Sequence, residues 1–145
     1  MININEYLIN KQTKEKRYYP KNRIELREII SEKTKKEGLE CDLNDIDVSR
    51  IKDMSYMFYN SPFNGDISKW DVSNVENMYA MFDNSQFNGD ISQWDVSNVI
   101  NMSIMFYNSK FNRDISKWNV SKVKDMNNMF WKCPLEKNPP KWYHD

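Results

Sequence analysis

Apolar residues recur along this chain in columns spaced 24 positions apart. Phased on tryptophan, the repeating units are 47–70, 71–94, 95–118 and 119–142, and the second and third units are identical at 17 of 24 positions. A half unit at 41–46 precedes the first. Repeats of about 20 to 50 residues are typical of solenoids, in which each unit buries its apolar face only against its neighbours. The pattern predicts a repeat solenoid over 41–142.

Two apolar periods coexist inside each unit. In "ISKWDV" the apolar positions are 67, 70 and 72, which is the spacing of a leucine-rich-repeat strand. From Val75 to Phe82 the apolar positions are 75, 78, 81 and 82, which is helical spacing. Ser73 and Glu76 fit an N-cap and a capping box for that helix. We therefore predict an α/β repeat solenoid of leucine-rich-repeat type, with about four units of a short strand, a helix of about two turns and a return loop.

The tryptophan column is the most conspicuous of the apolar columns. It allows two interpretations: a wide interior that needs large side chains, or an exposed platform on which a carbohydrate or a nucleic-acid base stacks. The tryptophans share the inward phase of the apolar columns beside them, which favours the core. The column consists of Trp70, Trp94, Trp118 and Trp142.

The two ends of the array carry their own signals. We predict an N-terminal helical cap over 1–40, with a short helix at 3–10 and a longer one at 23–37. Asn22 followed by Glu25 fits a helix start, and Gly38 fits a helix end. The apolar stripe predicted to cover the first unit is Ile24, Leu26, Ile29, Ile30 and Thr34.

At the other end, prolines predict the stop of any regular ladder. Pro134, Pro139 and Pro140 lie in the last unit, and a three-residue tail at 143–145 follows it. We expect the segment "PPKWYHD" to fold over the last unit, with Trp142 sealing it.

The chain carries 21 basic and 21 acidic side chains, so its charge gives no reason to expect a nucleic-acid partner. Residues 1–38 hold ten basic and six acidic side chains, a net charge of +4, and residues 39–145 hold eleven and fifteen, a net charge of −4. This division can bias the approach of a partner, but a solvated basic helix beside an acidic body is the simpler interpretation.

No apolar run approaches the roughly 20 residues of a membrane span, so no membrane insertion is expected. The N-terminus "MININEYLINKQTKEKR" lacks the basic start and apolar stretch of a secretory signal. The sequence by itself therefore predicts a cytoplasmic protein, unless a leader is absent from this chain. Cys41 and Cys133 lie more than three units apart, which makes an intramolecular disulfide geometrically unfavourable.

Catalytic and cofactor motifs are absent from the sequence, so we expect no enzyme and no cofactor. The single histidine, His144, stands near the C-terminal end. Two acidic ladders invite a calcium hypothesis, because stacked carboxylates repel unless they bind hydrogen-bond donors or metal. The favoured interpretation is that each Asp caps backbone N–H groups in its own turn, since calcium needs several oxygens per ion. The ladders are Asp42, Asp66, Asp90 and Asp114, and Asp47, Asp71, Asp95 and Asn119.

The stretch "DISKWDVSNVENMYAMF" resembles the repeat of the BspA-like leucine-rich-repeat surface proteins of bacteria, which follows "WDVSNVTNMxxMF". The resemblance covers roughly residues 16–142 and includes "YYPKNRIELREII", which resembles that family's entry into its array. It implies a leucine-rich-repeat fold, location at the cell surface, and a role in adhesion or host-protein binding. This sequence shows no signal, lipidation cysteine or cell-wall anchor, so the surface setting is implied by the resemblance alone.

Positions that differ between the repeats are free to serve recognition, whereas fixed positions serve packing. We predict that one of two faces binds another protein. The first face, on the predicted helical side, contains Tyr56, Tyr59, Tyr79, Ile104, Tyr107 and Trp131. The second, a mixed-charge stripe on the predicted strand side, contains Lys69, Asp71, Gln93, Asp95, Lys117 and Asn119.

The leading functional hypothesis is a non-enzymatic protein-binding module, with surface adhesion as the setting that the resemblance implies. The alternative is an intracellular effector or inhibitor, of the phage or mobile-element type, that blocks a host enzyme by binding it. A calcium-binding or glycan-binding protein is a third class, based on the Asp and Trp columns alone. Self-association is a further candidate, because open edges of an array invite stacking.

Overall fold

The computed structural model describes residues 16–145, so the helix predicted at 3–10 lies outside the described residues. This part of the chain contains one α-helix, α1 (Arg23–Glu37), and one 3-10 helix (Pro134–Glu136). β-structure among these residues is limited to isolated parallel bridges between single residues. Most of the described chain consists of consecutive turns, and its division into a cap over 1–40, repeats and a tail stays a prediction.

Helix α1 begins and ends where the sequence predicts. The side chain of Asn22 accepts a hydrogen bond from the backbone N–H of Glu25 at 3.0 Å, and Glu25 in turn accepts one from the N–H of Lys21 at 2.8 Å. At the other end Gly38 has a φ of 95° and donates to the carbonyl of Thr34. A positive φ is costly for any residue with a Cβ, so glycine fits this position. The predicted helix bounds are confirmed.

The buried face of α1 differs from the predicted stripe. Leu26 and Ile30 are buried, but Ile24 is 67% exposed and Lys33 is buried in its place. The Lys33 ammonium lies 3.0 Å from Asp45 and 3.4 Å from Glu37. Burial by itself would lower the pKa of Lys33, but the hydrogen bond and charge of Asp45, with Glu37, outweigh it and raise the pKa. A buried lysine is tolerated here because it is paired.

The prediction of an α/β solenoid of strand–helix units is wrong. Where a helix was predicted, hydrogen bonds join residues three apart, from Met57 N to Met54 O and from Tyr59 N to Tyr56 O, both at 3.2 Å. Left-handed residues interrupt the segment in every unit, as at Tyr56 (φ 58°) and Asn60 (φ 51°). A right-handed helix cannot pass through such residues, so the apolar spacing of 75, 78, 81 and 82 is produced by successive turns.

The predicted strand at 67–72 and the helix cap at Ser73 are also wrong. The Trp70 N–H donates to the Ile67 carbonyl at 3.2 Å, which closes a turn. The carboxylates of Asp66 and Asp71 each accept from the N–H and the hydroxyl of the serine two residues later, Ser68 and Ser73. Such local side-chain bonds offer the backbone an alternative to a ladder or a helix. The Ser73 hydroxyl therefore serves an Asp-centred turn and caps no helix.

The 24-residue period is nevertheless visible in the backbone hydrogen bonds. Successive units lie side by side, and residues 24 apart are paired in parallel bridges, as in the series Asp53, Asn77, Asn101 and Asp125. In the turn segment of each unit, which is 54–60 in the first unit and recurs every 24 residues, N–H groups donate to carbonyls of the next unit. Examples are Met54 to Asn77 at 2.9 Å, Met78 to Asn101 at 2.9 Å and Met102 to Asp125 at 2.8 Å. Units so joined lie about 4.8 Å apart.

Stacked aromatic rings fill the interior. Neighbouring rings of one Phe column, such as Phe58 and Phe82, have centroids 5.4 Å apart, and those of the Trp column, such as Trp70 and Trp94, 6.4 Å apart. Each indole N–H in the column donates to the carbonyl 27 residues earlier, at 2.9 to 3.1 Å. Trp118 is only 5% exposed. The tryptophans are therefore core residues, and a surface stacking platform is excluded for the three that are buried.

The favoured interpretation of the Asp ladders is confirmed. Asp47 and Asp95 accept from the N–H of Ser49 and Ser97 at 2.9 and 3.0 Å, and Asn119 does the same for Ser121 at 3.1 Å. The hydroxyl and N–H of Ser49 hold the pKa of Asp47 below its ordinary value. Within residues 16–145 no group of three or more His, Cys, Asp or Glu side chains is placed to hold a metal ion.

The C-terminal segment closes the last unit as predicted. The Trp142 indole stacks on Trp118 with centroids 6.3 Å apart and donates to Ile115 O at 3.0 Å. Cys133, a buried free thiol, donates to the Phe111 carbonyl at 3.1 Å, and burial raises its pKa. Cys41 is also a free thiol.

Candidate protein-binding face

The turns that replace the predicted helices form a continuous surface, which we call the turn face. It comprises four repeat positions, beginning at Asp53, Ser55, Tyr56 and Tyr59 and recurring every 24 residues. Backbone hydrogen bonds fix its geometry, from Tyr56 N to Tyr79 O at 3.0 Å and from Ile104 N to Asn127 O at 3.0 Å. Rigid backbone therefore holds its side chains in register from unit to unit.

Three tyrosines form a cluster at the N-terminal end of the turn face. The Tyr56 ring makes edge-to-face contacts with Tyr59 and Tyr79, with centroids 5.7 and 5.2 Å apart. A hydrogen bond between the side chains of Tyr79 and Tyr56 is the main cause that raises the pKa of Tyr79. Tyr59 is 51% exposed and Tyr56 is also exposed. Exposed, mutually ordered aromatic rings are the kind of group that anchors protein interfaces.

The other predicted residues of this face lie further along the same columns. Ile104 and Tyr107 are half-buried, whereas Trp131 is 47% exposed. Asn108 N donates to Trp131 O at 2.7 Å, which places the last two units side by side here. The structure thus brings all six predicted residues of the first face onto one surface, although that surface is made of turns. The six are Tyr56, Tyr59, Tyr79, Ile104, Tyr107 and Trp131.

The second predicted face stays separate from the turn face. Lys69, Gln93 and Lys117 are exposed and occupy one column, on the segment of each unit that carries the Trp core residue. The Lys69 N–H donates to the Asn44 side chain at 2.8 Å. A shallow groove of about 310 Å³ here is lined by side chains of both charges, among them Asp90, Gln93, Arg113 and Lys117. This mixed surface contains no aromatic ring.

A larger groove of about 580 Å³ lies beside the last unit. Backbone and side chains of two segments line it, with Arg113, Asp114 and Lys141 as its charged groups. The Arg113 guanidinium is already used, because its Nε donates to the Asn88 carbonyl at 2.9 Å.

Sequence reasoning missed two features of the turn face. Asp83 belongs to the column of Tyr59 and Tyr107 and is half-buried, and burial raises its pKa. The sequence signal that could have identified Asp83 is that it is the one acidic residue in a column of aromatic residues. Arg23 of α1 lies 3.7 Å from the carboxylate of Asp53 and donates to the carbonyl of Ser55 at 3.2 Å. Only the docking of α1, which spacing along the chain does not reveal, places Arg23 there.

Stacked 24-residue units with an aromatic core and a variable turn face define a repeat protein. A family model described as "Mycoplasma protein of unknown function, DUF285" matches residues 25–142, and the chain belongs to that family. The predicted resemblance is confirmed at this level, a repeat-containing family related to BspA-like repeat proteins. The leucine-rich-repeat fold that the resemblance implied is not observed. No curated protein and no solved structure matches the chain.

Across residues 16–145, no helix combines the length and apolar character that crossing a bilayer would require.

Proposed function

We propose that this chain is a non-enzymatic protein-recognition module and that its turn face contacts the partner. The observation that carries the proposal is the contrast between columns. The apolar columns that repeat from unit to unit are buried, whereas among the varied positions Tyr56, Tyr59 and Trp131 place aromatic rings at the surface. Exposed Tyr and Trp on a rigid backbone supply large contact area at a low cost in conformational entropy.

The turn face is favoured over the second face for a physical reason. Interface energy is concentrated in a few aromatic and Arg anchors, while exposed Lys and Gln side chains contribute little. The turn face holds the Tyr56, Tyr59 and Tyr79 cluster, and Trp131 further along. Adhesion at a cell surface is the biological setting that the BspA-like resemblance suggests for this binding; inhibition of an intracellular enzyme is the alternative setting.

Proximity labelling in the native cell tests the proposal. The turn-face variant carries Tyr56→Asn, Tyr59→Ser and Trp131→Ser, and the matched control carries Lys69→Ser, Gln93→Ser and Lys117→Ser. Asn is chosen at 56 because it tolerates the left-handed backbone there. Each lost anchor should weaken binding about tenfold. We expect the turn-face variant to lose proteins that the wild type and the control both label.

Identical labelling by all three proteins would overturn the proposal, and loss in the control variant alone would assign binding to the second face. The same experiment, combined with cell fractionation, separates the two settings. A partner labelled outside the cell supports adhesion, whereas a labelled cytoplasmic enzyme supports the inhibitor. Near-ultraviolet circular dichroism of the stacked aromatic rings verifies that each variant is folded.

A further inference from the structure

Asp83 is the one turn-face carboxylate without a partner among residues 16–145. Three charged side chains lie in the turn-face columns, Asp53, Asp83 and Asp125, and all three are acidic. Asp53 has Arg23 at 3.7 Å, and Asp125 accepts from the N–H of Asn127 at 3.0 Å. Asp83 has neither an ion pair nor a side-chain hydrogen bond within the described chain, and burial is the only cause acting on its pKa.

Aromatic residues stand on both sides of Asp83 in its column. Asn60 N donates to the carbonyl of Asp83 at 2.9 Å, and Asn84 N donates to the carbonyl of Tyr107 at 2.8 Å. These bonds place the unit of Tyr59 on one side of Asp83 and the unit of Tyr107 on the other, each about 4.8 Å away. Asp83 also lies close enough to Tyr79 for its charge to raise the pKa of that phenol.

A carboxylate with a tyrosine on each side in its column is complementary to a cation. A cation gains charge attraction from the carboxylate and attraction from the electron-rich ring faces. Guanidinium suits this arrangement better than ammonium, because it is planar, stacks on rings and binds carboxylate with two parallel hydrogen bonds. An anionic or purely aliphatic group would leave the carboxylate half-buried and unpaired, which is costly.

We infer that the turn face recognises a basic segment of its partner, in which an Arg side chain pairs with Asp83 and lies against Tyr59 and Tyr107. This inference rests on the proposed protein-recognition function and names the chemistry of the partner. The raised pKa of Asp83 agrees with it, since burial disfavours the ionised carboxylate in the free protein.

Calorimetric titration of the full chain with a hexa-arginine peptide tests the inference, with a hexa-glutamate peptide as the opposite-charge probe. The first variant is Asp83→Asn, which keeps the shape of the side chain. Its matched control is Glu40→Gln, which removes the same charge from an exposed residue outside the turn-face columns. A third protein, Tyr59→Leu, keeps an apolar side chain and removes the ring. All titrations are run at pH 7.5 and repeated at higher salt.

We expect hexa-arginine to bind and hexa-glutamate not to bind. Asp83→Asn should weaken hexa-arginine binding about three- to tenfold and Tyr59→Leu about threefold, while Glu40→Gln changes it less than about twofold. Equal weakening by Asp83→Asn and Glu40→Gln would mean that only net charge matters and would overturn the inference. Binding of hexa-glutamate as tight as that of hexa-arginine would also overturn it. Neither result touches protein recognition itself, because the labelling experiment tests that separately.

Discussion

Asp83 lies half-buried on the turn face, and burial raises the pKa of its carboxyl above the ordinary value. Protonation of this group therefore favours the folded state. Its favourable contribution to stability is complete below the ordinary Asp pKa of about 4 and is lost as the pH rises through the folded-state pKa. At neutral pH the ionised Asp83 thus opposes folding, as residues kept for binding often do.

The first prediction follows for Asp83→Asn, which removes the charge and keeps the shape. At pH 7 the variant should melt about one or two degrees higher than the wild type, since surface changes of this kind are small. The gain should shrink as the pH falls through the raised folded-state pKa of Asp83 and should be gone below the ordinary Asp pKa of about 4. Thermal melts from pH 4 to 7.5 measure it, with Glu40→Gln as the control. A lower melting temperature at pH 7 would contradict the absence of a partner for Asp83.

At the scale of the repeat element, Asp-centred turns define how each unit bends. The hydroxyl and N–H of Ser97 donate to Asp95 at 2.5 and 3.0 Å and hold its pKa below the ordinary value. A lowered folded-state pKa contributes stability that is present above the unfolded pKa and is lost as the pH falls through the folded pKa. Asp47, Asp90 and Asp114 show the same direction, so acid should weaken several turns together.

The second prediction compares Asp95→Ala with Asp95→Asn. Alanine removes the acceptor and should lower the free energy of unfolding by about 0.5–1 kcal/mol at pH 7. Asparagine keeps an acceptor oxygen, as Asn119 does for Ser121 in the same column. The Asn variant should therefore lower the free energy of unfolding by less than the Ala variant does. Denaturant unfolding at pH 7 and pH 3 measures both. The Ala variant should lose less stability than the wild type between the two pH values, and equal acid sensitivity would refute the role of this turn.

The repeat element also shows what the sequence could and could not predict. Signals that act locally were sufficient: Asn22, Glu25 and Gly38 predicted α1, and the 24-residue columns predicted the core. The spacing of apolar residues was ambiguous, because successive turns can bury the same positions as a helix. The deciding feature was a left-handed backbone at positions occupied by Tyr56, Ala80 and Ile104, residues that rarely adopt it.

The candidate site could likewise be predicted only in part from the sequence. The contrast between fixed and varied columns predicted the six residues that share the turn face. The chemistry of that face depends on contacts across units, however: Asp83 between two tyrosines and Arg23 on Asp53. A pattern along one chain does not reveal which charged groups find partners, so the acidic character of the face emerged only from the structure.

At the scale of the whole molecule, the hydrogen bonds of the turn segment have a direction. N–H groups of each unit donate to the following unit, as from Ala80 to Ser103 at 3.1 Å. In the last unit the corresponding N–H groups of Asn128 and Lys132 donate instead to the carboxylates of Asp145 and Glu136, both at 3.0 Å. Anionic side chains therefore cap two of the N–H groups at the donor end of the stack, where an uncovered edge would be a template for another chain.

The opposite end is covered by a cation. The Arg23 guanidinium donates to the Ser55 carbonyl of the first complete unit, to which no backbone N–H among residues 16–145 donates. Each end thus receives the charge that matches its exposed backbone groups. These covers bear on self-association, which the sequence raised as a candidate, because part of each edge of the turn segment is already hydrogen-bonded within the described chain.

The last prediction tests the donor-end cover with two double variants. Asp145→Ala with Glu136→Ala removes both acceptors and should lower the free energy of unfolding by about 1–2 kcal/mol, as the loss of helix caps does. Asp145→Asn with Glu136→Gln keeps acceptor oxygens and removes only the charge, so its cost should be smaller. Sedimentation velocity over a range of concentrations should show a monomer for the wild type and the Asn/Gln variant, and concentration-dependent association for the Ala variant. If both variants sediment as monomers and unfold alike, these carboxylates do not prevent association through the edge of the stack. If both variants associate alike, charge repulsion rather than hydrogen bonding keeps the chains apart.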